Sequence, residues 1–279
     1  MIGQTDFEKW IEAVHSIFEI FEGRYDVYPI SRRWIDEWYK NGVFSISQND
    51  TERLNNLKEN LDYSAFGIND TKLQERIDKS FGDLITTLNS GNCENIGFGI
   101  APYLLTWNFR RFKEYFIGKT YFSLSSYFED LGTFIKSIKN ELEEFRKRKI
   151  YLDEIKEDKI KKIFNKANKK LKSLGINQNE PVGVVKLLHI LAPNYFPLID
   201  NPIAEATGLK QRRESLTIDE YIIWMKALKR WCENYEKKKI EEIEKRYDES
   251  ILKLIDEGFY VMSSINLSLR IKLMGLKVK

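Results

Sequence analysis

Histidine and cysteine are nearly missing from this chain, with two of each in 279 residues. Cys93 and Cys232 cannot supply a disulfide framework, a four-cysteine metal centre or an iron–sulfur cluster, so both are read as structural cysteines. His15 and His189 leave little for a histidine-rich metal site. No neighbour of His15 stands at metal-ligand spacing along the chain, and it reads as a packed or surface residue. The sequence therefore calls for no cofactor. Proline is also scarce, and four of the six prolines fall between positions 181 and 202. No apolar run approaches the ~18 residues needed to span a bilayer, and Met1-Ile2-Gly3-Gln4 lacks the basic-then-apolar order of a secretion signal. A cytoplasmic or nucleoid location is the expectation.

What is present is helical patterning. With 42% hydrophobic and 31% charged residues the chain is neither disordered nor membrane-embedded, and it is long enough for one large domain or two smaller ones. Thr5-Asp6-Phe7-Glu8 has the form of a capping box, and Phe7, Trp10, Ile11, Val14, Phe18 and Phe21 follow at helical spacing. Ile30–Tyr39 reads as a short aromatic helix whose Arg32 and Arg33, placed against the helix dipole, call for acidic partners or solvent. From Asp70, a stripe of Leu73, Ile77, Phe81, Leu84, Ile85 and Leu88 marks a stronger helix. Residues 89–99, NSGNCENIGFG, hold three glycines read as turn formers. They end without the Gly-Lys-Ser/Thr of a phosphate loop. The stretch is taken as the boundary between an acidic subdomain, 1–95, and a basic subdomain, 96–279. The expected fold is all-α, a multi-helix globular protein with two helical subdomains and a helix-hairpin-helix-like element.

The charge is uneven along the chain. Residues 1–100 carry 10 Lys/Arg against 17 Asp/Glu, whereas 101–279 carry 35 against 25, so a polyanion should meet the second part. Ala101–Gly118 is predicted as one helix begun by Pro102. Leu105, Phe109, Phe112 and Phe116 would be inside it, and Trp107, Arg110 and Arg111 on other faces. Arginine beside an exposed aromatic ring suits a nucleic-acid surface; an aromatic core helix with solvated arginines fits the same residues. Leu124–Arg148 reads as one long helix. Between Lys159 and Lys172 stand seven lysines, among them Lys162, Lys166, Lys169 and Lys170, and no acid, beside an apolar face of Ile160, Ile163, Phe164, Ala167 and Leu171. Such a strip is more easily tolerated with an anion on it. An acidic membrane surface or a partner protein would serve equally. Gly175 is expected to end that helix in the left-handed conformation. Beyond 209, two further helices are read over Ser215–Tyr235 and Lys237–Asp256. Phe259–Lys279, which has no acid, is a docked helix, a strand or a basic tail.

The segment 181–209, PVGVVKLLHILAPNYFPLIDNPIAEATGL, draws these features together. Pro181 fits the first position of a helix that is apolar nearly all round, Pro193 stops it, and Asn201-Pro202 opens a second short helix ending at Gly208. The pattern Gly183-x-x-Lys186, an apolar run, Phe196-Pro197-x-x-Asp200, Ile203 and Gly208-Leu209 resembles the helix-hairpin-helix DNA glycosylases over about 30 residues. The family's Leu-Pro-Gly-x-Gly hairpin is reduced here to Pro181-Val182-Gly183, the Lys-to-Asp interval is shorter, and Asn201-Pro202 replaces the usual pair after the aspartate. The resemblance implies Lys186 as the amine nucleophile and Asp200 as the catalytic carboxylate. His189, one turn from Lys186, would assist proton transfer, and Trp107 or Tyr195 would stack on the displaced base. Attack by a neutral Lys186 would release the base and leave a Schiff base open to β-elimination.

Each assignment has a plainer counterpart. Lys186 extends to solvent from a buried helix, Asp200 caps the next helix, and His189 is a satisfied core residue. Two functions from different classes follow: a DNA glycosylase-like base-excision protein with a lysine lyase step, or a non-catalytic helical protein that binds nucleic acid or another protein through the same basic surface.

Overall fold

A computed structural model of the chain describes residues 4–263 apart from 24, 25, 60, 65, 90 and 211–213. Among them are fourteen helices and one antiparallel pair of two-residue strands, an all-α architecture. Of the acid-free segment read over 259–279, residues 259–263 belong to the last helix and 264–279 lie outside the described residues. No helix among the described residues is long and apolar enough to cross a membrane.

The chain divides into two compact units, each assembled from separated segments. Unit 1 takes Met1–Arg24, Glu143–Phe164 and Ala192–Lys279; unit 2 takes Tyr25–Leu142 and Asn165–Leu191. Residues 89–99 lie inside unit 2 rather than between the units. Charge is likewise shared out: unit 1 holds 26 Lys/Arg against 25 Asp/Glu, unit 2 holds 19 against 17. The imbalance between the two halves of the sequence is therefore not an imbalance between the folded bodies.

Unit 2 is built around α5 (Ile96–Trp107), whose first ten residues, Ile96 through Leu105, are all buried. Helices α2 (Tyr28–Asn41) and α7 (Leu124–Ser137) pack against it. Asn95 starts α5 by accepting a hydrogen bond from the Gly97 amide at 2.9 Å. Gly97 and Gly99 are thus helical, not turn residues, and Gly91 alone of the three takes the left-handed conformation, φ 100°. Gly97 is small because α7 crosses there: a Cβ on Gly97 would lie 1.8 Å from the Phe128 carbonyl, and one on Gly132 would lie 2.8 Å from the Gly97 nitrogen. Pro102 sits within α5 rather than opening it. Asn108, at φ −135°, separates α5 from α6 (Phe109–Gly118): its amide closes the first helix on Leu104, and its carbonyl accepts the Arg111 amide at the start of the second. The stripe Leu105, Phe109, Phe112 and Phe116 is buried across that break.

The rest of unit 2 comprises the strand pair β1 (Phe44–Ser45) and β2 (Asn92–Cys93), with α3 (Gln48–Glu59), α4 (Thr71–Leu88) and α10 (Pro181–Leu191). Asp70 caps α4, and the expected stripe from Leu73 to Leu88 is buried. Arg32 and Arg33 find their acids: Asp36 at 3.1 Å, and Asp50 at 2.5 Å. The long helix expected over 124–148 breaks at Ile138, where α7 ends and α8 (Lys139–Arg146) begins. Helices α8 and α9 (Glu157–Leu174) give residues to both units.

Unit 1 contains α1 (Gln4–Phe21), α11 (Asn201–Ala206), α12 (Ile218–Cys232), α13 (Lys237–Tyr247) and α14 (Ile251–Ser263). Helix α1 is already running at Gln4, ahead of its expected cap at Thr5. A full capping box between Thr217 and Glu220 opens α12. The helix expected over 237–256 is divided by Asp248 at φ 53°. Helix α14 lies against α1, close enough that a Cβ on Gly258 would fall 2.2 Å from the Trp10 indole.

Candidate functional site: a buried acid at the head of α10

The segment singled out by the sequence begins one residue after a buried acid of unit 2, Glu180, which precedes α10. The residue is only 2% exposed. The turn from α9 into α10 is made by Asn177 at φ 62°, not by Gly175. Gly175 is small for another reason: a Cβ there would stand 2.6 Å from the Tyr115 ring and 2.8 Å from a Glu180 carboxylate oxygen. The backbone of Glu180 is held at both ends. Its amide donates to Asn168 Oδ1 at 2.9 Å, and its carbonyl accepts the Val184 amide at 2.9 Å, the first turn of α10. The side chain is thereby aimed at Tyr115, whose hydroxyl donates to Glu180 Oε1.

Burial pushes the Glu180 carboxyl up to about 7, because an anion there has lost its water. The Tyr115 hydroxyl and the Arg111 charge work against that rise, and Glu114 adds to it. Burial also drives Tyr115 and Tyr127 far above the ordinary phenol range, with Glu180 adding to both. The tyrosine rings stand 5.9 Å apart. The phenols stay protonated at all ordinary pH, so the carboxyl is the member of this cluster that changes charge near neutrality. Toward the surface, Arg111 Nη1 donates to Glu114 at 2.5 Å and to Gln178 at 3.2 Å.

The residues picked from the sequence are distributed as follows. Gly183 adjoins Glu180: an added Cβ would lie 3.3 Å from its second carboxylate oxygen. Lys186, further along α10, donates from Nζ to the Trp107 carbonyl. Trp107 itself is half-buried at the end of α5 and Arg110 is exposed on α6. His189 is fully buried, and its Nε2 shares a 3.0 Å hydrogen bond with the Tyr28 hydroxyl of α2. Asp200 belongs to unit 1, where its carboxylate accepts the Ile203 amide at 2.9 Å and caps α11. His189 and Asp200 have the contacts of a hydrogen-bonded core residue and a helix cap, whereas Lys186 is tied to the Trp107 carbonyl rather than extended to solvent.

The lysine strip is partly neutralised within each unit. In unit 1, Lys159 meets Glu144 at 2.6 Å and Lys161 meets Asp219 at 2.8 Å; in unit 2, Lys166 meets Glu141 at 2.5 Å. Lys162, Lys169, Lys170 and Lys172 have no acidic partner among the described residues.

Sequence reasoning passed over Glu180, although the signal was there. It is the sole acid between Asp158 and Asp200, and it immediately precedes a proline at a helix start. What could not be read is Tyr115, 65 residues earlier, against which the acid is packed. Chemically the cluster can store a proton near pH 7 behind a closed surface and couple it to a tyrosine hydroxyl. No protein-family model, no curated protein and no solved structure matches this chain.

Proposed function

We propose that the chain is a non-catalytic helical protein that binds nucleic acid through the lysine side of α9. The observation that carries this reading is the row Lys169, Lys170 and Lys172, three cations of one helix half that no acid of the described residues neutralises, while Lys166 beside them is paired. Bringing cations together on a helix raises their mutual repulsion, and a phosphate backbone relieves it while releasing counterions. Exposed Arg110 adds a further cation on α6. The catalytic alternative asks Lys186 to give up its bond to the Trp107 carbonyl and Asp200 to give up its cap, which disfavours a base-excision role.

The test is fluorescence anisotropy with single- and double-stranded oligonucleotides between about 50 and 200 mM salt. Affinity should fall steeply with salt. Replacing Lys169, Lys170 and Lys172 together by Gln should flatten the log–log slope by roughly 2 to 3, at about 0.7 to 0.9 per lost phosphate contact. Absence of binding at the lowest salt, or an unchanged slope in the triple variant, defeats the reading. Borohydride treatment on an abasic oligonucleotide should trap nothing. An adduct that disappears in Lys186→Ala would restore the glycosylase reading in its place.

A further inference from the structure

Unit 1 contains a second cluster of buried titratable groups, which the lysine surface does not use. Helix α14 carries Lys253 and Glu257 one turn apart, both almost wholly buried, with Lys253 Nζ 2.6 Å from Glu257 Oε1. The other oxygen of Glu257 lies 2.7 Å from Nδ1 of His15 on α1. Glu249 joins from the turn made by left-handed Asp248 between α13 and α14, and one of its carboxylate oxygens is buried. One ligand atom from each of His15, Glu249 and Glu257 lies within 4.8 Å of the others. The Tyr247 ring flanks the imidazole edge-on, 4.6 Å between centroids.

We propose that His15, Glu249 and Glu257 bind one divalent transition-metal ion, of the zinc or cobalt type. The donor set is the first reason. One imidazole nitrogen from α1 and two carboxylate oxygens, from α14 and the turn before it, make a three-ligand set that would take a water or an outside ligand as the fourth. Charge is the second. Two carboxylates against the one Lys253 ammonium leave the site net negative, which favours a cation. Lys253 occupies the far oxygen of Glu257, as a second layer of partners does around metal ligands, and leaves the near oxygen for the ion. In the metal-free protein the hydrogen bond between His15 Nδ1 and Glu257 closes the place between these two donor atoms. Tetrahedral zinc with ligands at roughly 2.0–2.2 Å needs these two donor atoms to part by about 0.7 Å, within reach of side-chain torsions. Sequence spacing hides the site, since His15 and Glu257 are 242 residues apart.

The full chain, stripped of metal with a chelator, is titrated with Co²⁺ and followed by its visible absorption, and Zn²⁺ affinity is measured by competition with a chromogenic chelator. One ion per chain is expected. His15→Ala and Glu249→Gln, both half-buried positions, should each weaken binding by about tenfold or more while the helical circular dichroism is unchanged, and Cys93→Ser should have no effect. Failure to find a one-per-chain ion in the wild type overturns the proposal, as does a folded His15→Ala that holds Zn²⁺ as tightly as the parent.

Discussion

Two glutamates, one in each unit, are buried to nearly the same degree and behave oppositely. Glu180 is 2% exposed and Glu257 is 1% exposed. Glu180 is pushed up to about 7 by loss of water, with only a phenol hydroxyl in direct contact to offset it. Glu257 pays a like penalty for burial, yet its carboxyl is held below the usual range because Lys253 and His15 contact its two oxygens. Depth alone does not decide whether a buried acid carries charge. The nearest partner does, and a neutral donor is not a substitute for a cation.

The largest effect should come from removing the cation that makes Glu257 an anion. Lys253→Met takes the ammonium from the buried Glu257 carboxylate, leaving His15 on its other oxygen and the Glu249 carboxylate nearby, and should cost about 3–5 kcal/mol in urea unfolding. It also removes the ammonium from its position 4.3 Å above the Phe18 ring. The double variant Lys253→Met, Glu257→Leu takes away both charges and keeps the volume. It should recover most of that loss, since a buried pair adds little over an apolar replacement. A double variant as unstable as the single one would mean that the ion pair itself, not the stranded charge, supports α14.

Glu180 gives the mirror experiment. Its folded-state pKa is raised, to about 7 from an ordinary 4.5, so between those values the folded chain holds a proton that the unfolded chain has lost. Stability from this group is complete below about pH 4.5 and declines as pH rises to about 7, by roughly 3 kcal/mol. Glu180→Gln keeps an oxygen for the Tyr115 hydroxyl and cannot ionise. Relative to wild type it should gain about that amount above pH 7 and nothing below pH 4.5. The difference between the two stability–pH curves isolates Glu180 from every other titrating group. A flat difference would show that its carboxyl ionises normally in the folded state.

A smaller change tests whether the space around Glu180 is as close as its chemistry requires. Gly175→Ala would put a methyl group 2.6 Å from the Tyr115 ring and 2.8 Å from the Glu180 carboxyl. It should cost about 1–3 kcal/mol by overpacking. No such cost is expected at Gly82, an α4 glycine where the nearest neighbour of an added Cβ is a lysine nitrogen at 3.9 Å. There the substitution should stabilise by about 0.5–1 kcal/mol through helix propensity.

These positions also show which parts of the molecule were legible in the sequence. The helices and their buried stripes were, because Leu73 through Leu88 or Leu105 through Phe116 repeat at a period that only a half-buried helix needs. Arg32 and Arg33 were, because a cation at a helix start needs an acid nearby. Glycines misled. Gly97 and Gly175 are small because of what crosses them, and sequence reasoning sees only the turn a glycine allows. The breaks at Asn108 and Ile138 escaped because the apolar stripe continues through them. The charged clusters were the least accessible. Tyr115 to Glu180 and His15 to Glu257 are pairings of 65 and 242 residues' separation, and nothing local announces them.

Asp200 completes the comparison as an acid that is neither stranded nor ion-paired. It is half-buried, and one oxygen accepts the Ile203 amide at 2.9 Å at the start of α11. An oxygen used in this way satisfies one of the orphan donors of the helix and interacts favourably with its dipole. Asp200→Ala should cost about 1 kcal/mol, and Asp200→Asn or Asp200→Ser should restore most of it, because a cap needs an acceptor and not a charge. A catalytic carboxylate makes the opposite demand: the amide isostere would be as inactive as alanine. Urea unfolding of the three variants, run beside the borohydride assay, therefore separates the two roles. Stability rescued by Asn with no trapped adduct in any variant leaves Asp200 a cap; an adduct formed by wild type and lost in Asp200→Asn makes it a participant.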